Sequence, residues 1–458
     1  MSAPPNAETV VRRSADSRPK LFVRDVSNTT IVGGKGVRMW DSEGREYIDA
    51  NSGAISVTSI GHGVEEVAEA IAEQARRLAY VHTWQFRHEP GEELARALAT
   101  FAPADLNRSI LVSGGSEATE TAVKLARQYH LIHDRDSKHV VVSRRRSFHG
   151  ASMGALTLSG VPLRREPFLP YLIQEPQMAE AYCYRCPFGR SYPTCEVACA
   201  TDLERVIDEL GAERISAFIA EPIVAAAGPG MTPPTGYFER IRAICDRHDI
   251  LFIADEVVTG FGRTGKNFGI EHWNALPDII TSAKGLAGGY APLGVVIVRD
   301  AIIDAFEESG AQFAHGFTFD SHPVACAAGL AVLRIIERDG LVGNAAVQGE
   351  HLFERLYQLA ANDPLIGDVR GKGLLAAIEL VADRETKRPF DPALEMTSKL
   401  YWAARARGLM LYPGAGADGV AGDQLLVSPP LTVTREDVDE IVDRLALALD
   451  DLRSALAA

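Results

Sequence analysis

Two side chains that could take part in catalysis follow apolar stretches of the sequence. Lys284 comes shortly after Ile279–Thr281 and is followed by glycines, and Asp255 ends the run Ile250–Ala254. Ligand sites of α/β proteins lie at the carboxyl ends of strands, where a lysine amine can form a Schiff base with a carbonyl. A carboxylate in apolar surroundings needs a partner such as a protonated pyridine nitrogen. Each residue alone also fits an ordinary loop lysine or a turn-capping aspartate.

A phosphate site is predicted farther upstream. Gly114-Gly115-Ser116 lies between the apolar run Ile110–Val112 and a helical pattern. The N-terminus of a helix offers free N–H groups and a positive dipole end, and Ser116 adds a hydroxyl. The motif by itself also fits a tight turn with a serine cap. Phe148 follows the run Val140–Val142, and its ring could stack on a flat cofactor or pack in a loop.

Two other phosphate motifs are rejected. The segment 260–265 fits the glycine pattern of dinucleotide-binding proteins, and Asp278 lies near the spacing of a ribose ligand. That pattern must open a helix, whereas the residues after Gly265 have no helical period. The same segment nearly fits a P-loop, but Asn267 stands where a serine or threonine must bind magnesium.

The elements that position these residues alternate between strands and helices. The apolar runs lack an exposed face, which favours a mostly parallel sheet covered by helices. We therefore predict an α/β fold with a large domain at residues 76–330. Residues 21–75 and 331–458 are predicted to form a smaller α+β domain, and residues 1–20 a flexible N-terminal arm.

The bulk composition limits the classes of partner. The 458 residues carry a formal net charge of −14, which argues against a broad nucleic-acid or anionic-membrane surface. The N-terminus has no apolar stretch typical of a secretory signal, and no apolar run is long enough to span a bilayer. We therefore expect a cytoplasmic protein with small-molecule partners.

Several motifs together resemble those of class III aminotransferases, which are pyridoxal-phosphate enzymes of fold type I. They are Ile253-Ala254-Asp255-Glu256-Val257, Gly260-Phe261-Gly262-Arg263-Thr264-Gly265, Pro277-Asp278-Ile279 and Ala283-Lys284-Gly285. The likeness extends from Asp49 to the segment Ser428–Leu431. It implies pyridoxal 5′-phosphate as cofactor and transfer of an amino group from an amine or ω-amino acid to a keto acid.

The resemblance also implies roles for individual residues. Lys284 matches the Schiff-base lysine and Asp255 the partner of the pyridine nitrogen. The other cofactor contacts implied are Gly115 and Ser116 at the phosphate, Phe148 stacked on the ring face, Val257 behind the ring, and Glu221 at an acidic strand end. His149 is also a cofactor-binding candidate, without a specified contact. Phe317 and Thr318 match a segment that reaches the site of a neighbouring subunit, which implies a homodimer or a dimer of dimers.

Departures from the family pattern bear on the substrate. Members that act on 4-aminobutyrate or ornithine usually carry a glutamine and a glutamate where this chain has Val258 and Ala226. Both departures point to the amine:pyruvate branch, so pyruvate is the expected acceptor. That branch often binds the acceptor carboxylate with an arginine where this chain has Tyr412, and Arg87 is a possible replacement or a surface residue.

The same likeness implies a substrate pocket that includes Ile55, Ser56, Val57, Trp84 and Tyr412, although Trp84 is also compatible with a core position. Two alternatives to transamination remain open. One is another pyridoxal-phosphate reaction on this fold, such as a lyase, decarboxylase, racemase or aminomutase reaction. The other is a scaffold that binds no cofactor, which the co-occurrence of Lys284, Asp255 and the phosphate loop disfavours.

Four of the six cysteines are crowded into one segment, as Cys183, Cys186, Cys195 and Cys199. Four thiolates satisfy tetrahedral zinc, but the spacing differs from a standard zinc knuckle. Disulfides are rare in the cytosol. The sequence favours free thiols over a zinc site and leaves both alternatives open, and metal analysis of the purified protein decides between them.

Overall fold

The structure is a computed structural model that describes residues 29–173, 176–414 and 422–457. The predicted N-terminal arm lies outside the described residues. The strands are β1 (Ile31–Lys35), β2 (Arg38–Asp41), β3 (Glu46–Asp49), β4 (Arg108–Val112), β5 (Val140–Arg144), β6 (Gln177–Met178), β7 (Ile215–Ala220), β8 (Leu251–Asp255), β9 (Ile279–Ser282), β10 (Gly294–Val298), β11 (Ile366–Lys372), β12 (Leu375–Leu380), β13 (Leu409–Met410), β14 (Tyr412–Gly414) and β15 (Asp423–Val427).

The helices alternate with these strands through the middle of the chain. They are α1 (Glu65–Arg77), α2 (Glu89–Phe101), α3 (Gly115–Ile132), α4 (Met153–Leu158), α5 (Pro162–Arg165), α6 (Ala198–Leu210), α7 (Tyr237–His248), α8 (Asp300–Ser309), α9 (Pro323–Arg338), α10 (Leu341–Asn362), α11 (Met396–Ala406) and α12 (Arg435–Ala457). Short 3₁₀ helices include Gly269–His272 and Lys284–Leu286, and a π-helical turn spans Ser52–Ser56.

The central sheet has seven strands in the order β4-β10-β9-β8-β7-β5-β6. Neighbouring strands from β9 to β6 run parallel, whereas β10 is antiparallel to both β9 and β4. The prediction of an α/β fold with a mostly parallel sheet is therefore confirmed. The direction of β10 is the exception, because an apolar strand reads the same in either direction.

Both faces of this sheet are covered. Phe218 and Phe252 lie in one fully buried hydrophobic cluster. Their neighbours Ile219 and Ile253 point the other way, into a second cluster that includes the inner face of α3. Successive side chains of a strand point to opposite faces. The lack of polar alternation in these strands thus follows from helices packing on both sides.

Two smaller sheets contain the terminal parts of the chain. One has the order β1-β2-β3-β13, and its β13 pairs in parallel with β3 although nearly the whole chain separates them. The other has the order β11-β12-β15-β14 and is antiparallel. The predicted boundaries after residues 75 and 330 fall inside α1 and α9, and the division into two domains stays a prediction.

The last helix begins with side-chain capping of its first turn. Thr434 precedes α12, and the N–H of Asp437 donates to the Thr434 hydroxyl at 3.2 Å while the N–H of Thr434 donates to the Asp437 carboxylate at 3.1 Å. This reciprocal pair forms a capping box with aspartate in the acidic position. Among the described residues, no helix has the length and apolar character needed to cross a membrane.

The glycine-rich segment 260–265 is structural. It is followed by the short 3₁₀ helix Gly269–His272 and opens no long helix. Arg263 at its centre is 2% exposed, and it donates hydrogen bonds to the Leu374 carbonyl at 3.3 Å and the Ser52 hydroxyl at 3.2 Å. The segment therefore connects distant parts of the chain, and the expectation that it opens no long helix is confirmed.

Candidate active site

The predicted site residues follow strands that end at one edge of the central sheet. Strands β5, β7, β8 and β9 run in the same direction. Strand β4 shares that direction, because β4 and β9 are both antiparallel to β10. Gly115 follows β4, Phe148 follows β5, Glu221 follows β7, Asp255 ends β8 and Lys284 follows β9. The topology therefore brings these five segments together at the edge of the sheet where the parallel strands end.

Asp255 is held from two sides. One carboxylate oxygen, Oδ2, lies 2.6 Å from Nδ1 of His149, and the other accepts the backbone N–H of Val257 at 3.1 Å. Asp255 and His149 are each 2% exposed. A carboxylate has about four acceptor positions, so two of them remain for a further donor. The imidazole therefore fixes the orientation of the carboxylate and leaves some of its acceptor positions unoccupied.

Lys284 has an unusual backbone and a perturbed amine. Its φ angle of 39° is in the left-handed region, which lysine rarely adopts. Burial lowers the pKa of its amine, and the nearby Asp255 and Glu221 offset this only in part. A lower pKa raises the fraction of neutral amine, which is the form that attacks carbonyls and accepts protons.

The amino end of α3 contacts the loop that carries Phe148. The Ser116 hydroxyl accepts the N–H of Ala151 at 3.0 Å. A side chain added at Gly115 would come within 2.9 Å of Val257, so glycine allows these segments to pack closely. Helix α3 has 18 residues, and its first turn offers free N–H groups on the same side of the sheet as Asp255.

Glu221 is a second buried acid in this region. It is 4% exposed, and its carboxylate accepts the N–H of Phe148 at 3.3 Å. Burial raises the pKa of Glu221 to about 7, and the nearby Asp255 adds to the shift while His149 and Arg144 oppose it. Burial therefore favours the protonated form of this carboxyl.

The Phe148 ring also contacts an arginine that the sequence did not single out. The guanidinium carbon of Arg164, on α5, lies 4.5 Å from the centre of that ring. The same guanidinium donates to the Tyr412 hydroxyl at 3.4 Å. Tyr412 begins β14, so this contact joins the central sheet region to the C-terminal sheet.

A comparison with known families decides the class. The class-III aminotransferase family model matches residues 22–449. The chain belongs to the class-III aminotransferase family. Its Lys284 and Asp255 fall well inside the matched region, as does every site residue described above.

Individual relatives of this aminotransferase match over most of their length. A protein of Bacillus subtilis described as the uncharacterized aminotransferase YodT is 40% identical over 409 residues, which cover 89% of this chain and 92% of that protein. The diaminobutyrate–2-oxoglutarate transaminase of Halomonas elongata is 39% identical, covering 94% and 92%. The PLP-bound structure of an amine transaminase from an uncultivated Pseudomonas species is 37% identical, with a TM-score of 0.89 and coverage of 95% and 99%.

The family and that PLP-bound neighbour imply pyridoxal phosphate as the cofactor, and the residues present fit it. Lys284 offers an amine with a lowered pKa. Asp255 retains acceptor positions for a pyridinium nitrogen, as its two hydrogen bonds show. The amino end of α3 suits a phosphate. Phe148 and Val257 supply apolar surface next to these groups.

Other predicted residues lie farther out in the described structure of the aminotransferase. Trp84 is 76% exposed and packs beside Gly316, so the core alternative for Trp84 is wrong. Thr318 is exposed, and its carbonyl accepts the Tyr80 hydroxyl at 2.5 Å. The Arg87 side chain is 87% exposed near Glu92, which agrees with a surface arginine.

Two of the predicted pocket residues belong to the π-helical turn Ser52–Ser56 or follow it directly. Ile55 is partly buried and packs against the main hydrophobic cluster. Val57 follows it, and its side chain faces Gly289, five residues after Lys284. The turn thus approaches the glycine-rich segment that follows the lysine. Whether these residues contact substrate stays a prediction.

The sequence missed two features of this site. His149 was assigned to the cofactor without a role, and the structure places it against Asp255. Arg164 belongs to a pair of basic residues, which gives no signal of a site in the sequence. Both contacts join segments far apart in the chain, which a pattern within one segment cannot indicate.

The four clustered cysteines line one small cavity, and their thiols are free. Burial raises the pKa of Cys183, and it raises that of Cys199 to about 12. In the described ranges, no three His, Cys, Asp or Glu residues are arranged to hold a metal ion.

Proposed function

We propose that this aminotransferase moves an amino group from an amine or ω-amino acid to a keto acid, with pyruvate as the acceptor, using pyridoxal phosphate bound to Lys284 as a Schiff base. The observation that carries the proposal is the placement of Lys284 and Asp255. Asp255 ends β8 and Lys284 follows β9, and these adjacent parallel strands end at the same edge of the sheet. When bound, the cofactor supplies an electron sink for the carbanion formed at the substrate.

Each residue of the site would have a separate role in this reaction. Asp255 keeps a proton on the pyridine nitrogen, because a carboxylate beside it favours the charged ring. His149 orients Asp255 through the 2.6 Å contact. The Lys284 amine, with its lowered pKa, accepts the proton from the substrate carbon and returns it as the amino group changes partner. The first turn of α3 binds the phosphate and fixes the cofactor in place.

The proposal that pyruvate is the acceptor rests on the residues at two positions. Val258 is partly buried against the main hydrophobic cluster, and Ala226 has no charge. Neither provides the amide or carboxylate that relatives acting on 4-aminobutyrate or ornithine use there. This supports the amine:pyruvate branch, with Ile55, Val57, Trp84 and Tyr412 around the substrate. One relative is named for 2-oxoglutarate, so both keto acids belong in the test.

We also propose a homodimer, or a dimer of dimers, in which Phe317 and Thr318 reach the neighbouring site. The support for this proposal is the exposure of residues in and beside that segment. Thr318 is exposed, and the adjacent Phe319 is 56% exposed although its side chain is large and apolar. Such groups usually lie against another molecule when they cluster.

The test is a half-reaction with purified enzyme. Amine donor added without a keto acid should shift the cofactor absorbance once and then stop, and pyruvate should restart turnover. Lys284→Ala should reduce the rate by about 10⁴-fold or more, because general-base catalysis and the covalent link are both lost. Lys399→Ala, at an exposed lysine of α11, is the control and should behave as wild type.

Two outcomes would contradict the proposal. Continued turnover on donor alone would identify a lyase, decarboxylase or related reaction instead. A Lys284→Ala variant that keeps both the visible cofactor bond and full activity would exclude Lys284 as the attachment point. A panel with pyruvate, 2-oxoglutarate and oxaloacetate then identifies the acceptor.

A further inference from the structure

Arg164 is held between two segments of the candidate site. Its guanidinium carbon lies 4.5 Å from the centre of the Phe148 ring, and one of its nitrogens donates to the Tyr412 hydroxyl at 3.4 Å. Phe148 follows β5 and Tyr412 begins β14. A planar guanidinium that lies over an aromatic face and is hydrogen bonded at its edge is restricted in orientation.

The charge of Arg164 is not neutralised by the described residues. No carboxylate of ranges 29–173, 176–414 and 422–457 pairs with it. Two other partly buried arginines do pair with acids: Arg242 lies 2.7 Å from Asp278, and Arg370 lies 2.8 Å from Asp368. A buried guanidinium without an acid needs other acceptors, such as the Leu374 carbonyl and Ser52 hydroxyl that Arg263 contacts, or an anion. Within the described ranges Arg164 donates to the Tyr412 hydroxyl, which leaves most of its donors available for an anion.

This cation is also close enough to act on the reacting amine. The pKa of Lys284 is lowered mainly by burial, and Arg164 contributes in the same direction. Glu221 and Asp255 act on Lys284 in the opposite direction. Arg164 therefore belongs to the electrostatic surroundings of Lys284, although it comes from a separate segment.

The free edge of the guanidinium suits a carboxylate. Arginine has five N–H donors in a planar fork, and the Tyr412 hydroxyl uses one of them. The remaining donors can bind two carboxylate oxygens side by side, which is the strongest form of this contact. The Tyr412 hydroxyl is neutral, and Arg87 is 87% exposed, so neither offers an equivalent anchor.

We propose that Arg164 binds the carboxylate of the keto-acid acceptor, and that Tyr412 is a positioning residue for the Arg164 guanidinium. The inference rests on the proposed function and adds to it a specificity-determining residue. A donor amine without a carboxylate gains nothing from this contact. Arg164 therefore matters in the half-reaction with the keto acid and not in the half-reaction with such an amine.

The experiment compares two acceptors that differ by the carboxylate alone. Holoenzyme is first converted with an amine donor and then mixed with pyruvate or with acetaldehyde. In Arg164→Gln, kcat/KM for pyruvate should fall by about 10²–10³-fold, mainly through KM, because two charge-assisted hydrogen bonds are lost. For acetaldehyde, kcat/KM should change less than about threefold, since no bond to it is removed.

Further variants separate this role from a structural one. Arg164→Lys keeps the charge without the fork, so pyruvate should be used at an intermediate rate. Tyr412→Phe should raise KM for pyruvate by roughly 3- to 10-fold, as expected for one hydrogen bond, and spare acetaldehyde. Arg165→Gln is the matched control. Arg165 is the next residue in the chain, but its side chain lines a separate cavity with Arg145 and Glu180.

The outcomes are distinct. An equal loss with both acceptors in Arg164→Gln, or no loss with pyruvate, would overturn the assignment while the proposed transamination stands. A wild-type enzyme that transfers its amino group to no acceptor would contradict the proposed function, and this inference with it. Unchanged cofactor absorbance in Arg164→Gln shows that the variant still assembles its site.

Discussion

Lys284 combines two local features that are each unfavourable. Its left-handed backbone, with φ of 39°, costs of order 1 kcal/mol or more in a non-glycine residue. Its amine is held where burial lowers the pKa, so the charged form is disfavoured. Strained and desolvated residues concentrate at sites where reactivity, and not stability, is selected. The surrounding strands β8 and β9 must therefore hold Lys284 in place.

The neighbouring acids Asp255 and Glu256 face opposite ways. Asp255 meets His149, whereas Glu256 points into the interior and accepts the Thr259 hydroxyl at 2.5 Å and the N–H groups of Gly269 and Ile270 at 2.8 and 2.7 Å. Burial raises the pKa of Glu256 from its usual 4.5 to about 7, against the effect of those donors.

This shift predicts a pH dependence of stability. Between pH 4.5 and about 7 the folded state holds the Glu256 proton more tightly than the unfolded chain does. The contribution of Glu256 to the free energy of unfolding therefore falls as pH rises through that window, by at most about 1.4 kcal/mol per pH unit, and is level above it. Glu256→Gln removes this titration. The free energy of unfolding of the wild type minus that of the variant should therefore decrease from pH 5 to pH 8.

Urea unfolding at several pH values measures that difference. Glu308→Gln, at an exposed position of α8, controls for the loss of a carboxylate in general. Parallel pH profiles for wild type and Glu256→Gln would show that Glu256 does not titrate in this window.

At the scale of elements, apolar runs predicted the strands of the central sheet, apart from the two-residue β6, because both faces of that sheet are buried. They did not predict β11, whose sequence Ile-Gly-Asp-Val-Arg-Gly-Lys is interrupted by polar residues and glycines. Asp368 and Arg370 in it pair with each other and Arg370 with Glu379 of β12. Tertiary ion pairs stabilise this strand, and periodicity within a segment cannot detect them.

The site was predictable to the extent that it follows strand ends. Lys284, Asp255 and Gly115 were found because each comes directly after a strand or its first turn. The His149–Asp255 and Arg164–Tyr412 contacts depend on how loops from separate elements fold against each other. Nothing in the spacing of these residues indicates such contacts.

Two glycines of α10 allow a matched test of how elements pack. A side chain at Gly349 would meet the backbone of Gly373 at 2.5 Å, whereas one at Gly343 would meet nothing within 4 Å. Gly349→Ala should lower the free energy of unfolding by about 1–3 kcal/mol through overpacking against backbone. Gly343→Ala should raise it by up to about 1 kcal/mol, since alanine favours the helix.

Thermal unfolding of the two holoenzyme variants tests whether the first substitution lowers stability and the second raises it. Opposite shifts in Tm support close contact between α10 and the turn after β11. A stabilising effect of Gly349→Ala would mean that the two backbones are farther apart than 2.5 Å implies.

At the scale of the whole molecule, apolar side chains are exposed near the predicted intersubunit segment. Trp84 is 76% exposed, Phe86 62% and Phe319 56%. The rings of Tyr80 and Phe319 meet edge to face at 5.9 Å, and Trp84 packs beside Gly316. On a chain with a net charge of −14, grouped aromatic residues of this kind favour an interface between subunits.

A charge at this surface should separate the subunits. The chain has a mass of 49.5 kDa, so wild type should sediment at about twice or four times that mass. Phe319→Asp places a charge where a partner would bury an aromatic ring, which should weaken association by roughly 10²-fold or more. Tyr357→Asp is the control, because that ring is exposed to nearly the same degree, 55%. Sedimentation velocity across a dilution series measures the change.

Activity should follow association in these variants. If Thr318 completes the neighbouring site, Phe319→Asp should lose activity on dilution in step with dissociation, and high protein concentration should restore it by mass action. Tyr357→Asp should show neither effect. A fully active monomer of Phe319→Asp would demonstrate that one chain carries a complete site, and that the exposed aromatic residues serve another purpose.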